Sequence, residues 1–476
     1  MDLFNNHGSS IEPVRYHSTS TMYNDWFNLE CEEKDKPDDS QATKTDSFDH
    51  ESSSSSAPPP SISLEWLPTE IIYRILSYCN IQTLSALSGT CSRLYMIIVN
   101  DDYVWRSKAT NALTTNCISD VFSSKSIVDL TNRDKCVIES RWKRGIFQET
   151  ALIQNKKPLI PWLSIDSKNL WVTRGNTLCK FQRLKDGRIK SCPSMKFSYH
   201  QEDILKFKVT NNFIATGSLD GTLTVCNKHS GKLLSIKYKA HSSVINSIDC
   251  LHQRFMVTGS KDRNAKIWKL DFEGGHFNSD SDVKNESPYN CSLTCSQSIG
   301  IGDRVLSVSC SQERDWVAIG SAGCAIDKTI FIFDVLGNRM IGTLNDEHRH
   351  GAGVLGIQWE DSNTLLSCGY DTLIRLWDLR SPGGKCVLKW EDPHDSAIYC
   401  LATDHWVTIL SGTCRHGVVR LWDKRRAKHC VQMYYGGREN SPVYSLDFDP
   451  CYLYIALDKS INLMNFRMGS HAKNHC

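Results

Sequence analysis

The sequence predicts a small all-α domain followed by an all-β, seven-bladed propeller, with a disordered segment at the N-terminus. Three observations lead to this prediction: a charged, serine-rich beginning, an apolar stretch with helical spacing, and a motif that then repeats to the end of the chain. The motif is clearest in "TLIRLWDLR" and "VVRLWDKRR", whose Trp377 and Trp422 lie 45 residues apart. A repeat of that length indicates one structural unit used many times.

Residues 1–60 are predicted to be disordered. The segment contains "CEEKDKPDDSQATKTDSFDHESSSSSAPPP", which is charged, rich in serine and ends in prolines. Such a composition cannot bury enough apolar surface to offset the conformational entropy that ordering costs.

Residues 61–108 are predicted to form three short helices. Pro68 suits the first helical position, Asn80 can cap the second helix, and the third begins near Cys91. The first helix carries an apolar stripe of Ile71, Ile72, Ile75 and Leu76. A unit this small cannot bury all of its apolar side chains. The surplus must be covered by the following domain, by a second copy or by a partner.

The same segment resembles an F-box at "LPTEIIYRIL", at the spaced leucines that follow, and at "GTCSRLY" with Trp105 after it. In that family the Leu-Pro turn and the next helix insert into the small adaptor of a cullin–RING ubiquitin ligase. The resemblance implies eight adaptor-binding residues: Leu67, Pro68, Ile71, Ile72, Ile75, Leu76, Leu84 and Leu87. Any of them could instead belong to the three-helix core, and the sequence leaves that choice open.

Residues 109–147 are predicted to be a helical linker between the two domains. Its helix covers "TNRDKCVIESRWKRG", residues 131–145, where Thr131 or Asn132 can cap the start and Gly145 suits the end. A stiff helix here would fix the distance between the F-box and the ring.

Seven copies of the repeat appear when the chain is aligned on the tryptophan position. The anchors are Phe181, Cys226, Trp268, Phe333, Trp377, Trp422 and Met464, and the turn residues six positions earlier are Gly175, Asp220, Asp262, Asp327, Asp371, His416 and Asp458. One interval is long, and its excess falls on a polar segment that we interpret as a loop inserted at about 273–296. Seven four-stranded units of this period are typical of a β-propeller, here over residues 148–468.

A polar network in the best-preserved unit supports this interpretation. Asp262 can accept a hydrogen bond from His241, the imidazole can contact Thr258 or Ser260, and that hydroxyl can accept from the indole of Trp268. The unit resembles a WD repeat at these residues. The predicted structural network comprises His241, Ser260, Asp262, Trp268, Asp371, Trp377 and Trp422. Where other residues replace the tryptophan, or the histidine or aspartate is displaced, we expect the blade to rely more on apolar packing.

Closure of the ring can also be predicted. Little chain follows Met464, so the last unit lacks an outer strand of its own, and residues 469–476 are left as a tail. Residues 148–155, "QETALIQN", precede the first unit and have strand character. We expect them to pair into the last blade and so join the two ends of the ring.

As a whole the chain resembles the F-box/WD-repeat proteins, and its final two units are most similar to their dactylin branch. The turns that follow the second strands should share one end of the ring. The substrate-face candidates there are Arg174, Lys261, Arg263, Tyr370, Arg415 and His416. Arginine and lysine around a tyrosine could hold a phosphorylated or acidic peptide, because guanidinium pairs bidentately with phosphate. The alternative is a solvated basic rim.

Composition limits the remaining functions. The 55 basic and 53 acidic residues give a net charge of +2, which does not favour binding to nucleic acid or to a membrane. The absence of a signal-peptide pattern or a long apolar run predicts a soluble protein of the cytoplasm and/or nucleus. The 20 scattered cysteines contain no Cys-x-x-Cys pair, so we expect reduced thiols, no metal and no cofactor.

The predicted function is that of a substrate receptor in an SCF-type cullin–RING ubiquitin ligase. Its partners would be the cullin adaptor at the F-box and a protein substrate on the propeller. No nucleophile and base with a family signature occur, so a non-catalytic subunit is expected. The alternatives are a WD-repeat scaffold that binds a helical partner without a role in ubiquitination, and, more remotely, an enzyme on a propeller.

Overall fold

A computed structural model describes residues 64–116, 119–272, 291–325, 328–344, 346, 350–381, 384–426, 429–437 and 439–467. All of them belong to one unit of the chain. The predicted disordered segment and the predicted tail lie outside the described residues, as does Asp327. Of the described helices, none has the length and apolar character needed to cross a membrane.

The helical part follows the predicted order. It comprises a short 3-10 helix (Leu64–Trp66) and α1 (Thr69–Tyr78), α2 (Ile81–Ser88), α3 (Ser92–Asn100), α4 (Tyr103–Ala109), α5 (Asp120–Ser123) and α6 (Asn132–Arg144). Asn80 caps α2 by accepting from the Thr83 amide at 2.8 Å, and the Cys91 thiol caps α3. Pro68 lies one position before α1 instead of inside it. The predicted linker helix is confirmed, with a Thr131 capping box at its start and Gly145 in the left-handed conformation at its end.

The helical domain has a core of its own. Its buried members are Ile72, Leu76, Leu84, Leu94, Ile98, Val104, Trp105, Ala109 and Cys136. Cys136 comes from α6, so the linker helix completes the F-box core. The indole of Trp105 donates to the Ile98 carbonyl at 2.7 Å, which satisfies the only polar atom of that side chain.

The strands occupy the rest of the described chain. They are β1 (Gln148–Gln154), β2 (Leu163–Ile165), β3 (Asn169–Arg174), β4 (Thr177–Gln182), β5 (Met195–Phe197), β6 (Ile204–Val209), β7 (Phe213–Ser218), β8 (Leu223–Asn227), β9 (Leu233–Lys237), β10 (Ile245–Leu251), β11 (Phe255–Ser260), β12 (Asn264–Phe272), β13 (Cys291–Gly300) and β14 (Val305–Cys310). They continue with β15 (Trp316–Ser321), β16 (Ile330–Asp334), β17 (Arg339–Leu344), β18 (Val354–Trp359), β19 (Thr364–Gly369), β20 (Leu373–Asp378), β21 (Cys386–Glu391), β22 (Ile398–Thr403), β23 (Thr408–Thr413), β24 (Val418–Asp423), β25 (Gln432–Tyr435), β26 (Ser445–Phe448), β27 (Tyr452–Ala456) and β28 (Ser460–Asn465).

These strands form seven four-stranded antiparallel sheets, which confirms the predicted seven-bladed propeller. Blades 1 to 6 take four consecutive strands each, starting with β2, β6, β10, β14, β18 and β22. Every predicted anchor lies on the third strand of its blade. The first strands of most neighbouring blades contact one another and line the central channel.

Ring closure occurs as predicted. Blade 7 has the order β1-β28-β27-β26, so β1 supplies its outer strand. Gln148 pairs with Asn465 and Gln154 with Ser460. Because β1 precedes blade 1 in the chain, this pairing ties the two ends of the ring together.

The inserted loop is shorter than predicted. Residues 291–296, which we assigned to it, belong to β13, the outer strand of blade 3. Cys291 and Leu293 are buried while the residues that follow each of them are exposed, so the polar composition concealed an alternating strand. Residues 273–290 lie outside the described chain.

The antiparallel strands give the ring two distinct ends. We call the end with the turns between second and third strands the upper face, and the end with the turns between first and second strands the lower face. The helical part contacts the lower face of blades 6 and 7. Thr114 donates its amide to the Thr408 hydroxyl at 2.8 Å, and the indole of Trp142 donates to the Pro450 carbonyl at 2.9 Å.

Candidate functional site

The eight predicted adaptor-binding residues separate into buried and accessible groups. Ile72, Leu76 and Leu84 are fully buried in the helical core. Leu67 and Leu87 are partly buried against that core. The accessible members are Pro68, Ile71 and Ile75.

The accessible residues continue into a larger apolar surface. Ile71 is 46% exposed and Ile75 is 37% exposed, although both are aliphatic. Trp66 before α1 and Tyr78 at its end are more than four-fifths exposed. Positions 71, 75 and 78 fall on one side of a helix. We call Trp66, Ile71, Ile75 and Tyr78 the α1 surface; no described part of this chain covers it.

The substrate-face candidates lie in the turns of the upper face. Tyr370, Arg415 and His416 stand on the adjacent blades 5 and 6, whereas Arg174 is on blade 1 and Lys261 and Arg263 are on blade 3. All six are exposed. The structure therefore places Tyr370 and Arg415 on neighbouring blades, while Arg174, Lys261 and Arg263 are on other blades.

The polar network of blade 3 matches the prediction and resolves its open choice. His241 contacts Asp262 through Nδ1 at 2.8 Å and Thr258 through Nε2 at 2.7 Å. Trp268 donates its indole N–H to the same Thr258 hydroxyl at 2.8 Å. Ser260 instead accepts from the Asp262 amide at 3.1 Å. Burial lowers the pKa of His241, which keeps the imidazole neutral and able to donate to Asp262.

Blades 5 and 6 use arginine where blade 3 uses histidine. Trp377 and Trp422 donate to Ser367 and Ser411 at 2.8 and 2.9 Å. Two residues before each tryptophan, an arginine is buried and paired: Arg375 with Asp371 and Asp346, and Arg420 with Asp392.

Blades 2, 5 and 6, in which we expected apolar packing to predominate, therefore also contain buried polar contacts. In blade 2, buried His200 contacts Thr216 at 2.6 Å and Thr224 at 3.2 Å, although Cys226 replaces the tryptophan. In blade 6, an ion pair between Arg420 and Asp392 replaces the contact between histidine and aspartate. Buried polar groups need partners, and different residues can supply them when one member of a network changes. In blades 4 and 7, Phe333 and Met464 do join apolar clusters.

Three residues of the upper face were missed from the sequence. Tyr399 and Tyr444 stand at equivalent places at the start of the inner strands of blades 6 and 7, in "SAIYCL" and "SPVYSL". Arg304 immediately precedes the inner strand of blade 4. Both tyrosines lie three residues after a serine, and this recurrence could have identified them. The repeats are aligned on their third strands, however, whereas these tyrosines lie at the start of the first strands.

No group of three or more potential metal ligands occurs among the described residues. No disulfide joins any two of the described cysteines. Burial raises the pKa of many of their thiols, that of Cys136 to about 11, and such thiols act as small apolar side chains.

Comparison with known proteins matches both parts of the chain. The profile of the F-box-like family matches residues 64–110, and that of the WD domain, G-beta repeat, matches 231–269 and 339–378. F-box/WD repeat-containing protein 4 of Mus musculus is 31% identical over 404 residues, covering 84% of this chain and 93% of the relative. Its Homo sapiens counterpart is 31% identical over 407 residues, covering 84% and 92%. Pre-mRNA-processing factor 19 homolog 2 of Arabidopsis thaliana is 21% identical and covers 71% of this chain and 54% of its own.

Proposed function

The chain belongs to the F-box/WD-repeat proteins, and on that basis we propose that it is the substrate-recognition subunit of an SCF-type cullin–RING ubiquitin ligase. The F-box docks on the cullin adaptor, and the upper face of the propeller binds the protein to be ubiquitinated. The chain itself is non-catalytic in this proposal and acts in the cytoplasm and/or the nucleus.

The observation that carries the proposal is the α1 surface. Two aliphatic and two aromatic side chains stay accessible on one short helix and its approach, beside the buried core of the helical domain. Apolar side chains clustered in this way mark a site for a partner, because their removal from water stabilises a complex. The helix supplies the spaced anchors by which helical segments are recognised in apolar grooves.

The mechanism is proximity. One end of the molecule binds the ligase and the other binds the substrate, so a substrate lysine reaches the transfer machinery at a high effective concentration. A fixed spacing between the two ends is needed for this. The linker helix supports it, since α6 contributes Cys136 to the F-box core and Trp142 to the core of blade 7.

The substrate side of the proposal rests on charge. Arg174, Arg263 and Arg415 are exposed on the upper face and have no carboxylate within 4 Å in the described chain. Unpaired guanidinium groups favour an acidic or phosphorylated segment of the substrate.

The test is co-purification of the full chain with the cullin adaptor. The full chain is required because excising the helical part would expose Trp142 and Ile138. Ile71→Asp and Ile75→Asp place a charge in the α1 surface and should reduce adaptor binding more than tenfold. The double variant Leu67→Ala, Pro68→Ala should also weaken it. Ser77→Asp is the matched control, since it adds the same charge to an exposed position on another side of α1.

The scaffold alternative predicts a different result. If the unaltered chain does not co-purify with the adaptor, or if binding withstands both aspartate variants, the receptor proposal fails. The enzyme alternative requires that the purified chain alone converts a substrate to a product.

A further inference from the structure

The mouth of the central channel carries a regular structural feature. In blades 2 to 6 the inner strand has a β-bulge after its first residue, and the bulged residue is left unpaired. A bulge re-aims one side chain without ending the sheet. The residues at this position, with the equivalent one of blade 7, are Leu205, Asn246, Leu306, Leu355, Tyr399 and Tyr444, and all six are partly buried. Five of the six are apolar or aromatic, so the upper mouth is lined by accessible apolar side chains.

Tyrosines dominate this lining over three adjacent blades. The ring centroids of Tyr370 and Tyr399 are 6.2 Å apart with a near-perpendicular arrangement. Those of Tyr399 and Tyr444 are 6.4 Å apart. We call these three residues the tyrosine row. The rings hold one another in place by edge and tilted contacts, which provides a preformed platform with little side-chain entropy left to lose.

Two guanidinium groups flank the tyrosine row. Arg304 and Arg415 are exposed, and neither has an ion-pair partner within 4 Å among the described residues. Arg304 donates to the Cys324 thiol at 3.4 Å, which keeps it on the upper face. Both lie close enough to influence the phenols electrostatically: burial raises the pKa of Tyr370, and Arg304 counteracts part of that rise. Arg415 has the same effect on the pKa of Tyr399.

We propose that the tyrosine row is a specificity subsite that binds an apolar or aromatic side chain of the substrate, next to an anionic group held by Arg304 and Arg415. This inference rests on the proposed function and adds to it a second recognition element. An anion alone would be shared by many acidic proteins, whereas an apolar side chain at a fixed distance from it selects a motif. The two guanidinium groups disfavour a cationic ligand, because like charges repel.

The anion could be a phosphate or a carboxylate, because both accept two parallel hydrogen bonds from guanidinium. The experiment separates them with three peptide arrays, carrying phosphoserine, glutamate or serine at a fixed central position and random flanks. Each array is probed with the full chain in complex with the cullin adaptor, and the adaptor is quantified in the same sample. If the adaptor is absent from the complex but peptides bind as expected, the ligase proposal fails and the subsite stands.

The expected result is selection of Phe, Tyr, Leu, Ile or Met at a fixed spacing from the anion. Arg415→Ala should lower affinity for a selected peptide about tenfold or more, as loss of a charge-assisted contact does. Tyr399→Ala should abolish the apolar preference, and Tyr399→Phe should retain it because the ring surface is kept. Arg426→Ala, on the opposite end of blade 6, is the matched control and should bind normally.

Binding confined to the phosphoserine array identifies the anion as phosphate, and equal binding of the glutamate array shows that a carboxylate suffices. The inference is overturned by equal binding of the serine array, by charged peptides without apolar selection, or by no selected peptide in any array. Unchanged affinity in both Arg415→Ala and Tyr399→Ala would also refute it.

Discussion

The indole of Trp142 on the linker helix lies flat on the ring of Phe466, with centroids 3.6 Å apart and planes 13° from parallel. Phe466 directly follows β28, the strand that closes the propeller. The hydroxyl of Tyr434 also donates to the Trp142 carbonyl at 2.6 Å. The linker is thus joined to the place where the ring closes, so closure of the ring and the position of the F-box depend on the same contact.

Trp142→Ala should destabilise the protein and loosen the F-box from the ring. Loss of a fully buried tryptophan costs about 3–5 kcal/mol of unfolding free energy. A urea titration measures the loss, and limited proteolysis should show faster cleavage between residues 109 and 147. Arg144→Ala changes an exposed residue of the same helix and should stay within about 0.5 kcal/mol. Equal unfolding free energies and equal cleavage rates in the two variants would contradict a role of Trp142 in joining the F-box to the ring.

Leu76→Ala should mainly lower stability and Ile75→Ala should mainly weaken adaptor binding, although the residues are neighbours on α1. Leu76 is fully buried, so its truncation should cost about 2–5 kcal/mol of stability. Ile75 is partly exposed, so its truncation should cost about 1 kcal/mol or less and instead weaken adaptor binding. Thermal unfolding and adaptor co-purification, measured on both variants, separate the two effects.

Thr258→Val should be more damaging than Ser260→Ala. The valine keeps the shape but removes the hydroxyl that serves both Trp268 and His241, leaving two buried polar groups unpaired. The expected cost is about 2 kcal/mol or more, against about 1 kcal/mol for Ser260→Ala. Urea midpoints of the two variants check this, and a reversed order would show that Ser260 is the more important hydroxyl.

Asp392→Asn should destabilise blade 6 strongly. It leaves the buried charge of Arg420 without its carboxylate, at a cost of about 3–5 kcal/mol. The double variant Asp392→Leu, Arg420→Met should recover most of that loss, because two apolar residues carry no desolvation cost. Arg380→Ala breaks an exposed pair with Asp378 and should cost less than about 1 kcal/mol. No recovery in the double variant would mean that the pair has a further role.

Acid should weaken the propeller through His200. Burial lowers the pKa of His200 to about 4, below the ordinary value of 6.5. The unfolded chain therefore binds a proton more readily, so the stability is complete above about pH 6.5 and declines as the pH falls towards 4. At pH 5.5 this residue lowers the free energy of unfolding by about 1.4 kcal/mol. His200→Gln should flatten the pH dependence of the urea midpoint over that range, and an unchanged slope would contradict the assignment.

Much of the fold could be predicted because each blade repeats the same local pattern. The spacing from Asp262 to Trp268 recurs in every unit, and the strand character of residues 148–155 gave the ring closure. The polar networks were harder to predict, because the partners of a buried group come from different strands. Asp392 and Arg420 are 28 residues apart in the chain, and their pairing carries no local sequence signal.

The sequence by itself determined the number of blades, the helical F-box and the capped linker helix. These depend on hydrophobic periodicity, turn residues and caps, which act over a few residues along the chain. Only the tertiary structure decided which residues of the α1 stripe are buried. It also decided that Tyr370, Tyr399 and Tyr444 form one row. Burial and convergence depend on how separate elements pack in space, and residues from three blades meet at the channel mouth only when the ring is closed.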